Sequence, residues 1–330
     1  MLRWALVPAA VFALAFVGSL AWFALEDEGG SEPSREGGPD PGRAAAARPA
    51  QSGRLVVTYS ATPENPDKGF LGTVALDGSD LRNVIEPPGP GRAAANAAPS
   101  VSPDGELAAF QRAVAGPGGG EPPYIHSIPL DGSEPERRIT RGRDAEVDPA
   151  WSPDGQRIAF ARQGSMGFDL FACAPDGSGL APLTRTPGVD ELGPARSPDG
   201  RRLAFARYGK GIENGPGELW LTAADGSGER RILGGDRHDY SAPSWSPDGR
   251  RLALLVDGHV AVADAGGGAL HKLTPAGDLK ETRPSWSPDG TRIAFTRDPG
   301  TILTIAPDGS DQVEIPFDKA ATGVAWVPAR

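Results

Sequence analysis

Apolar and polar positions alternate over short stretches from Arg54 to the C-terminus, and the alternation restarts behind the same turn. The segment Arg157-Ile158-Ala159-Phe160-Ala161-Arg162 shows the period-2 pattern of a strand. Its parent segment, Pro149 to Arg162 (PAWSPDGQRIAFAR), recurs at Pro194 to Arg207 (PARSPDGRRLAFAR), Pro243 to Val256 (PSWSPDGRRLALLV) and Pro284 to Arg297 (PSWSPDGTRIAFTR). A looser copy spans Pro99 to Arg112. The motif serines Ser102, Ser152, Ser197, Ser246 and Ser287 are 50, 45, 49 and 41 residues apart, the period of a blade array. Pro-Asp-Gly in every unit rules out a helical repeat.

A second signature interleaves with the first. Asp77-Gly78-Ser79, Asp131-Gly132-Ser133, Asp176-Gly177-Ser178, Asp225-Gly226-Ser227 and Asp308-Gly309-Ser310 each follow a short apolar run, and a degraded sixth lies at Asp264 to Gly268. Each unit therefore reads strand, SPDG turn, strand, variable loop, strand, DGS turn, strand. Proline presets φ in the first turn, Asp bonds back to the local backbone and Gly accepts positive φ. Six DGS turns stand against five SPDG turns, so the first unit lacks a first strand. Gly323 to Pro328 supplies it from the other end, with Trp326 in the motif's tryptophan place, 40 residues after Trp286. The expected fold is an all-β, six-bladed β-propeller over residues 54–330, closed by pairing of N- and C-terminal strands in one blade.

Composition adds the surroundings. Of 330 residues, 45 are Gly and 34 Pro, which favours short elements joined by turns. A formal charge of −10 repels phosphate backbones, so nucleic acid is not an expected partner. Trp4 to Leu25 carries no charge, follows Arg3 and precedes Glu26, Asp27 and Glu28. Residues 1–25 are thus expected to form an N-terminal hydrophobic helix that anchors the chain in a membrane with the propeller outside. Small residues at Ser19 and Ala21 leave cleavage as a signal peptide open, giving a secreted or periplasmic protein. Residues 26–53, rich in Pro, Gly, Ala, Glu and Arg, read as a disordered tether.

The repeated PxWSPDGxxIAF motif resembles the TolB-type propeller and, more loosely, the propeller caps of prolyl-oligopeptidase-like enzymes. The likeness covers about Arg54 to Arg330. It implies an extracytoplasmic scaffold that binds a protein or peptide at one mouth of its channel, which the N-terminal segment is expected to hold on the outer face of a bacterial cytoplasmic membrane. A membrane segment and tether stand where TolB carries an α/β domain, which sets this chain apart from TolB's own partners.

Three residues before the motif proline stand Asn96, Glu146, Glu191, Tyr240 and Glu281, with Asp190 and Asp239 one place earlier. If each first strand is innermost, these residues face one opening as an acidic rim for a basic peptide or a cation; solvated loop charge is the plainer alternative. Trp151, Trp245, Trp286 and Trp326 are expected to pack between blades, with Val101 and Arg196 breaking the series; Arg196 needs a partner or a route to water. Long loops at Ser60 to Gly69, Ala113 to Pro123 and Tyr208 to Gly217 mark the same face for recognition, against a two-residue turn at Asp257-Gly258.

No Gly-x-Ser-x-Gly elbow is present, and His126, His259 and His271 fall one per strand without ligand spacing. His238, in a rim loop, is a weak metal candidate, and Cys173 reads as a small apolar strand residue. No catalytic residue, metal or cofactor is assigned. The expected function is non-catalytic binding of a protein, peptide or envelope polymer by a monomer. The alternatives are a lactonase- or sialidase-like hydrolase or lyase with a metal or carboxylate site in the channel, and a purely structural spacer.

Overall fold

A computed structural model describes residues 53–60, 69–85, 93–116, 119–209 and 215–328. The expected N-terminal helix, the tether up to residue 52 and parts of the three long loops lie outside the described residues. Six antiparallel four-stranded sheets make up the described part, each a blade in chain order. Blade 1 is the composite one, ordered Ala320–Trp326, Arg54–Ser60, Gly69–Ala75, Arg82–Ile85. Blades 2 to 6 begin at Ala93, Glu146, Val189, Tyr240 and Ser285.

Closure is direct. Leu55 pairs with Trp326, Val56 with Ala325, Val57 with Val324 and Thr58 with Gly323, then a bulge shifts the register to Tyr59 with Ala321. The closing strand starts three residues earlier than expected and ends at Trp326, because Ala320 and Ala321 find partners in Ser60 and Tyr59. Val327 adds one backbone bond, to the carbonyl of Arg54. One expected loop is also corrected: Ala113 to Pro123 continues the hairpin of blade 2, whose strands run Leu107–Gly116 and Gly119–Pro129.

The core lies between blades. Each of six hydrophobic clusters joins two neighbours, as when Ala109 and Ile125 of blade 2 meet Trp151, Ile158 and Phe160 of blade 3. The cluster of Leu55, Val57 and Trp326 with Ala294, Ile302 and Ile315 closes the circle from blade 6 to blade 1. Phe110, Phe160, Phe205 and Phe295, one per IAF-type strand, are fully buried. Each such burial contributes about 1.5–3 kcal/mol.

Both turn signatures behave as the residues dictate. In each SPDG turn the serine hydroxyl donates to the Asp carboxylate and accepts from the backbone five residues on, as Ser152 does with Asp154 and Arg157. In the DGS turns the carboxylate accepts from the serine backbone N–H, as Asp225 does from Ser227. Gly226 sits at φ +89°, where a Cβ would meet the carbonyl oxygen of Leu183 in the preceding blade at 1.7 Å. The turn glycine thus serves both conformation and blade docking.

The tryptophans pack as expected. Trp245 donates from its indole N–H to the Ala195 carbonyl (3.0 Å), and Trp326 to that of Ser285 (2.9 Å), each reaching the preceding blade. Trp326→Ala therefore removes both a packed side chain and a tie across the closure. A loss of about 3–5 kcal/mol is expected, measured by urea unfolding; a loss below 1 kcal/mol would contradict this account of the closure.

Candidate functional site

The first strands of successive blades contact one another in ring order, from blade 1 through blade 6 and back, so they surround the axis. That placement fits the expectation. The predicted rim does not sit as expected, because most of its side chains are buried and paired. Glu146, Glu191 and Glu281 lie opposite Arg162, Arg207 and Arg297 on the next strand of their own blades. Each arginine grips one carboxylate oxygen through two nitrogens; Arg207 reaches Glu191 at 3.0 and 2.5 Å, and Arg297 reaches Glu281 at 3.0 and 2.6 Å. The Glu281 carboxylate also accepts from the Thr274 hydroxyl and the Val260 backbone N–H, both in blade 5. Glu281 therefore joins two blades, and all three carboxylates face an arginine at the point where they were expected to attract a cation.

The remaining rim residues follow the same logic. Asn96 accepts from Arg112 (3.1 Å) and donates to the Gly69 carbonyl of blade 1 (2.8 Å). Asp190 accepts from the Phe168 N–H (2.9 Å) and Asp239 from the Gly217 N–H (2.7 Å), each at the start of a third strand in the preceding blade. Tyr240 replaces the glutamate in blade 5, where Val256 stands in the arginine place, and its hydroxyl donates to Asp236. Burial, then Asp236, pushes its phenol up to about 12. Burial also raises the Glu191 carboxyl above its usual range, against the Thr184 hydroxyl and Arg207. Arg196, half-buried, donates to the Ala224 carbonyl at 3.3 Å, and burial lowers its pKa.

A different set of residues occupies the axis. The first strands of blades 2 to 5 bulge at the residue before the motif proline, and Ala98, Asp148, Gly193 and Ala242 there take φ of 51°, 62°, 60° and 50°. Such backbone costs of order 1–3 kcal/mol at a non-glycine residue. The same place holds Arg283 in blade 6 and Gly323 in blade 1. Arg283 forms an ion pair with Asp148, three blades away and hence across the channel. The other Asp148 oxygen accepts from the Gly193 N–H (3.0 Å), and the Asp148 N–H donates to Gln111 (3.0 Å). Tyr208 lies beside this group with Ser241 as hydrogen-bond partner; burial, then Asp239, raises its pKa. Asp148 and Arg283 stand two residues after Glu146 and Glu281, the positions expected to line the rim. A usable signal existed: the pre-proline place runs Ala, Asp, Gly, Ala, Arg, Gly, with a charge in only two of the six blades.

The histidines and cysteine form no cluster. Among the described residues no group of three or more His, Cys, Asp or Glu could hold a metal ion. His238 pairs with Asp257 (2.7 Å), His259 accepts from the Gly277 N–H, and His271 is exposed on a blade edge. Cys173 is buried, which pushes its thiol up to about 11.

Six blades in a closed ring with a polar bridge across the axis define a six-bladed β-propeller with a constricted channel. Residues 161–317 match the family model described as the TolB beta propeller domain. TolB from Acinetobacter baumannii is 21% identical with a TM-score of 0.69, over 85% of this chain and 68% of that one. A putative TolB from Agrobacterium tumefaciens is 17% identical with a TM-score of 0.58, over 84% of this chain and all (100%) of that one. A chain of the nidogen/laminin complex is 11% identical with a TM-score of 0.63, over 83% and 98%. Compared by sequence with curated proteins, the chain has no match. The protein is a six-bladed β-propeller, and its residues 161–317 are similar to the TolB propeller domain; at these identities the solved structures speak to the fold alone.

Two expectations follow. Glu191→Ala leaves Arg207 with Glu229 as its remaining ion-pair partner and should cost about 1–3 kcal/mol in urea unfolding. Replacing both with the blade 5 pair, Glu191→Tyr and Arg207→Val, should recover at least half of that, and no recovery would show the pair is not the source. His126, held at about 4 against an ordinary 6.5 by burial, then Arg112 and Arg138, stays neutral in the folded state while the unfolded chain takes up a proton. Stability therefore falls as pH drops from about 6.5 to 4, by up to about 3 kcal/mol. His126→Gln should flatten that loss, and an unchanged difference between pH 7 and pH 4.5 would refute the assignment.

Proposed function

We propose that this protein is a non-catalytic, extracytoplasmic binding propeller that takes a protein, peptide or envelope polymer at the mouth bearing the loops between second and third strands. One observation supports that mouth above the other. Large apolar side chains standing out into solvent are few among the described residues, and two of the three lie on this face. Met166, 63% exposed, tips the hairpin of blade 3, and Leu279, 54% exposed, precedes blade 6. Exposed apolar groups beside polar loops are the ordinary makings of a contact patch.

The uncharged stretch Trp4 to Leu25 supports a single-pass anchor on the outer side of the bacterial cytoplasmic membrane, and residues 26–53 supply the tether. Ligand capture then rests on shape and apolar contact at the mouth, and requires no covalent step.

A photo-crosslinking amino acid placed at Met166 or Leu279 in intact cells should capture a discrete partner. The same probe at Leu180, exposed near the DGS turn on the opposite face, should capture none. Equal capture from Leu180, or none from any position, would overturn the assignment of this face.

A further inference from the structure

We propose that Arg283 is an intramolecular occupant of a guanidinium site on the channel axis, which accepts an arginine side chain of a peptide or protein partner once Arg283 swings out. The inference rests on the binding function proposed above and names the chemistry recognised at its centre.

The two halves of the axial ion pair are built differently. Asp148 is fixed: its side chain is 9% exposed, one oxygen is held by the Gly193 N–H of blade 4, and its own N–H is held by Gln111 of blade 2. Its backbone sits in a left-handed conformation that aims the carboxylate inward. Three blades therefore fix one carboxylate oxygen toward the axis. Arg283 is the opposite case, a long side chain 40% exposed that crosses from blade 6, where the first strand is reduced to Ser285–Trp286. Its guanidinium also lies against Gly193, where an added Cβ would stand 3.8 Å from it.

A preorganised anion facing a flexible cation is the arrangement of a receptor and its ligand. Surrounding groups suit a planar cation: the neutral phenol of Tyr208, its partner Ser241, and the carboxylate of Asp239 close by. Exchange of Arg283 for an incoming arginine replaces one guanidinium–carboxylate pair by another, so the reaction at the axis is nearly balanced. The displaced Arg283 regains water, and contacts elsewhere on the ligand decide the outcome. The latch thus lowers apparent affinity for bare cations and leaves room for a ligand that also engages the mouth. A guanidinium fits better than an ammonium because two of its nitrogens can converge on one carboxylate oxygen, as those of Arg207 do on Glu191.

The test uses the full-length chain with Arg283→Ala, and calorimetric titration with N-acetyl-arginine amide and N-acetyl-lysine amide. Removal of the internal cation should give arginine amide at least tenfold tighter binding than wild type, with a smaller gain for lysine amide. Asp148→Asn in the same background should abolish the gain. If Arg283→Ala does not fold, Arg283→Met keeps the aliphatic stem and carries the same expectation. The proposal is overturned if neither variant binds arginine amide more tightly than wild type, or if the gain survives Asp148→Asn. Loss of this gain with crosslinking from Met166 and Leu279 intact would overturn the axial site while the binding function stands.

Discussion

Pairing between Leu55 to Ser60 and Ala320 to Trp326 turns a row of sheets into a ring. The Thr322 hydroxyl bonds to Thr58 across 264 residues of chain, so the contact closes nearly the whole propeller as one loop. Closing so long a loop carries an entropic cost that grows only slowly with length, and six backbone pairs with the surrounding apolar cluster oppose it. Without that contact the sixth interface between blades has no second wall, and blades 1 and 6 keep open edges. The axis also depends on it, since Arg283 reaches Asp148 only when blades 3 and 6 face each other.

Charge is used in two distinct ways within this ring. Buried glutamates face partly buried arginines at paired positions of the first and second strands in blades 3, 4 and 6, and in blade 6 Glu281 also ties the blade to its predecessor. Blade 2 uses Asn96 with Arg112, and blade 5 replaces the pair by Tyr240 and Val256. The pair is therefore one of several ways to fill that place, consistent with the balance between desolvation and Coulomb attraction for buried ions. The axial pair differs because one partner stays half in water. A group that keeps its hydration can leave its partner at little cost, and a fully buried one cannot.

The mouth where these features meet combines exposed apolar residues at its rim with a polar constriction behind them. Its floor is rigid, set by strained bulges in the inner strands and by hydrogen bonds between blades. Variation among the blades concentrates in the pre-proline residue and in the loops between second and third strands. A uniform scaffold thus presents a non-uniform surface, the condition for recognising one ligand without altering the fold.

The repeats made the architecture legible from the chain alone, because SPDG and DGS turns act locally and each reports a fixed place in a blade. Counting them gave the number of blades, and the surplus DGS turn with Trp326 gave the closure. The tryptophan packing and the burial of Cys173 were legible for the same reason, since alternation assigns a face. The rim was not. Residues such as Glu146 and Arg162 are 16 positions apart, and only the register of two strands, offset by a bulge, places one against the other. Nor could the sequence reveal that Asp148 and Arg283, 135 positions apart, face each other, because that distance is set by how six blades close around an axis. Local turn chemistry and strand period are written in neighbouring residues, whereas the pairing of charges depends on the ring as a whole.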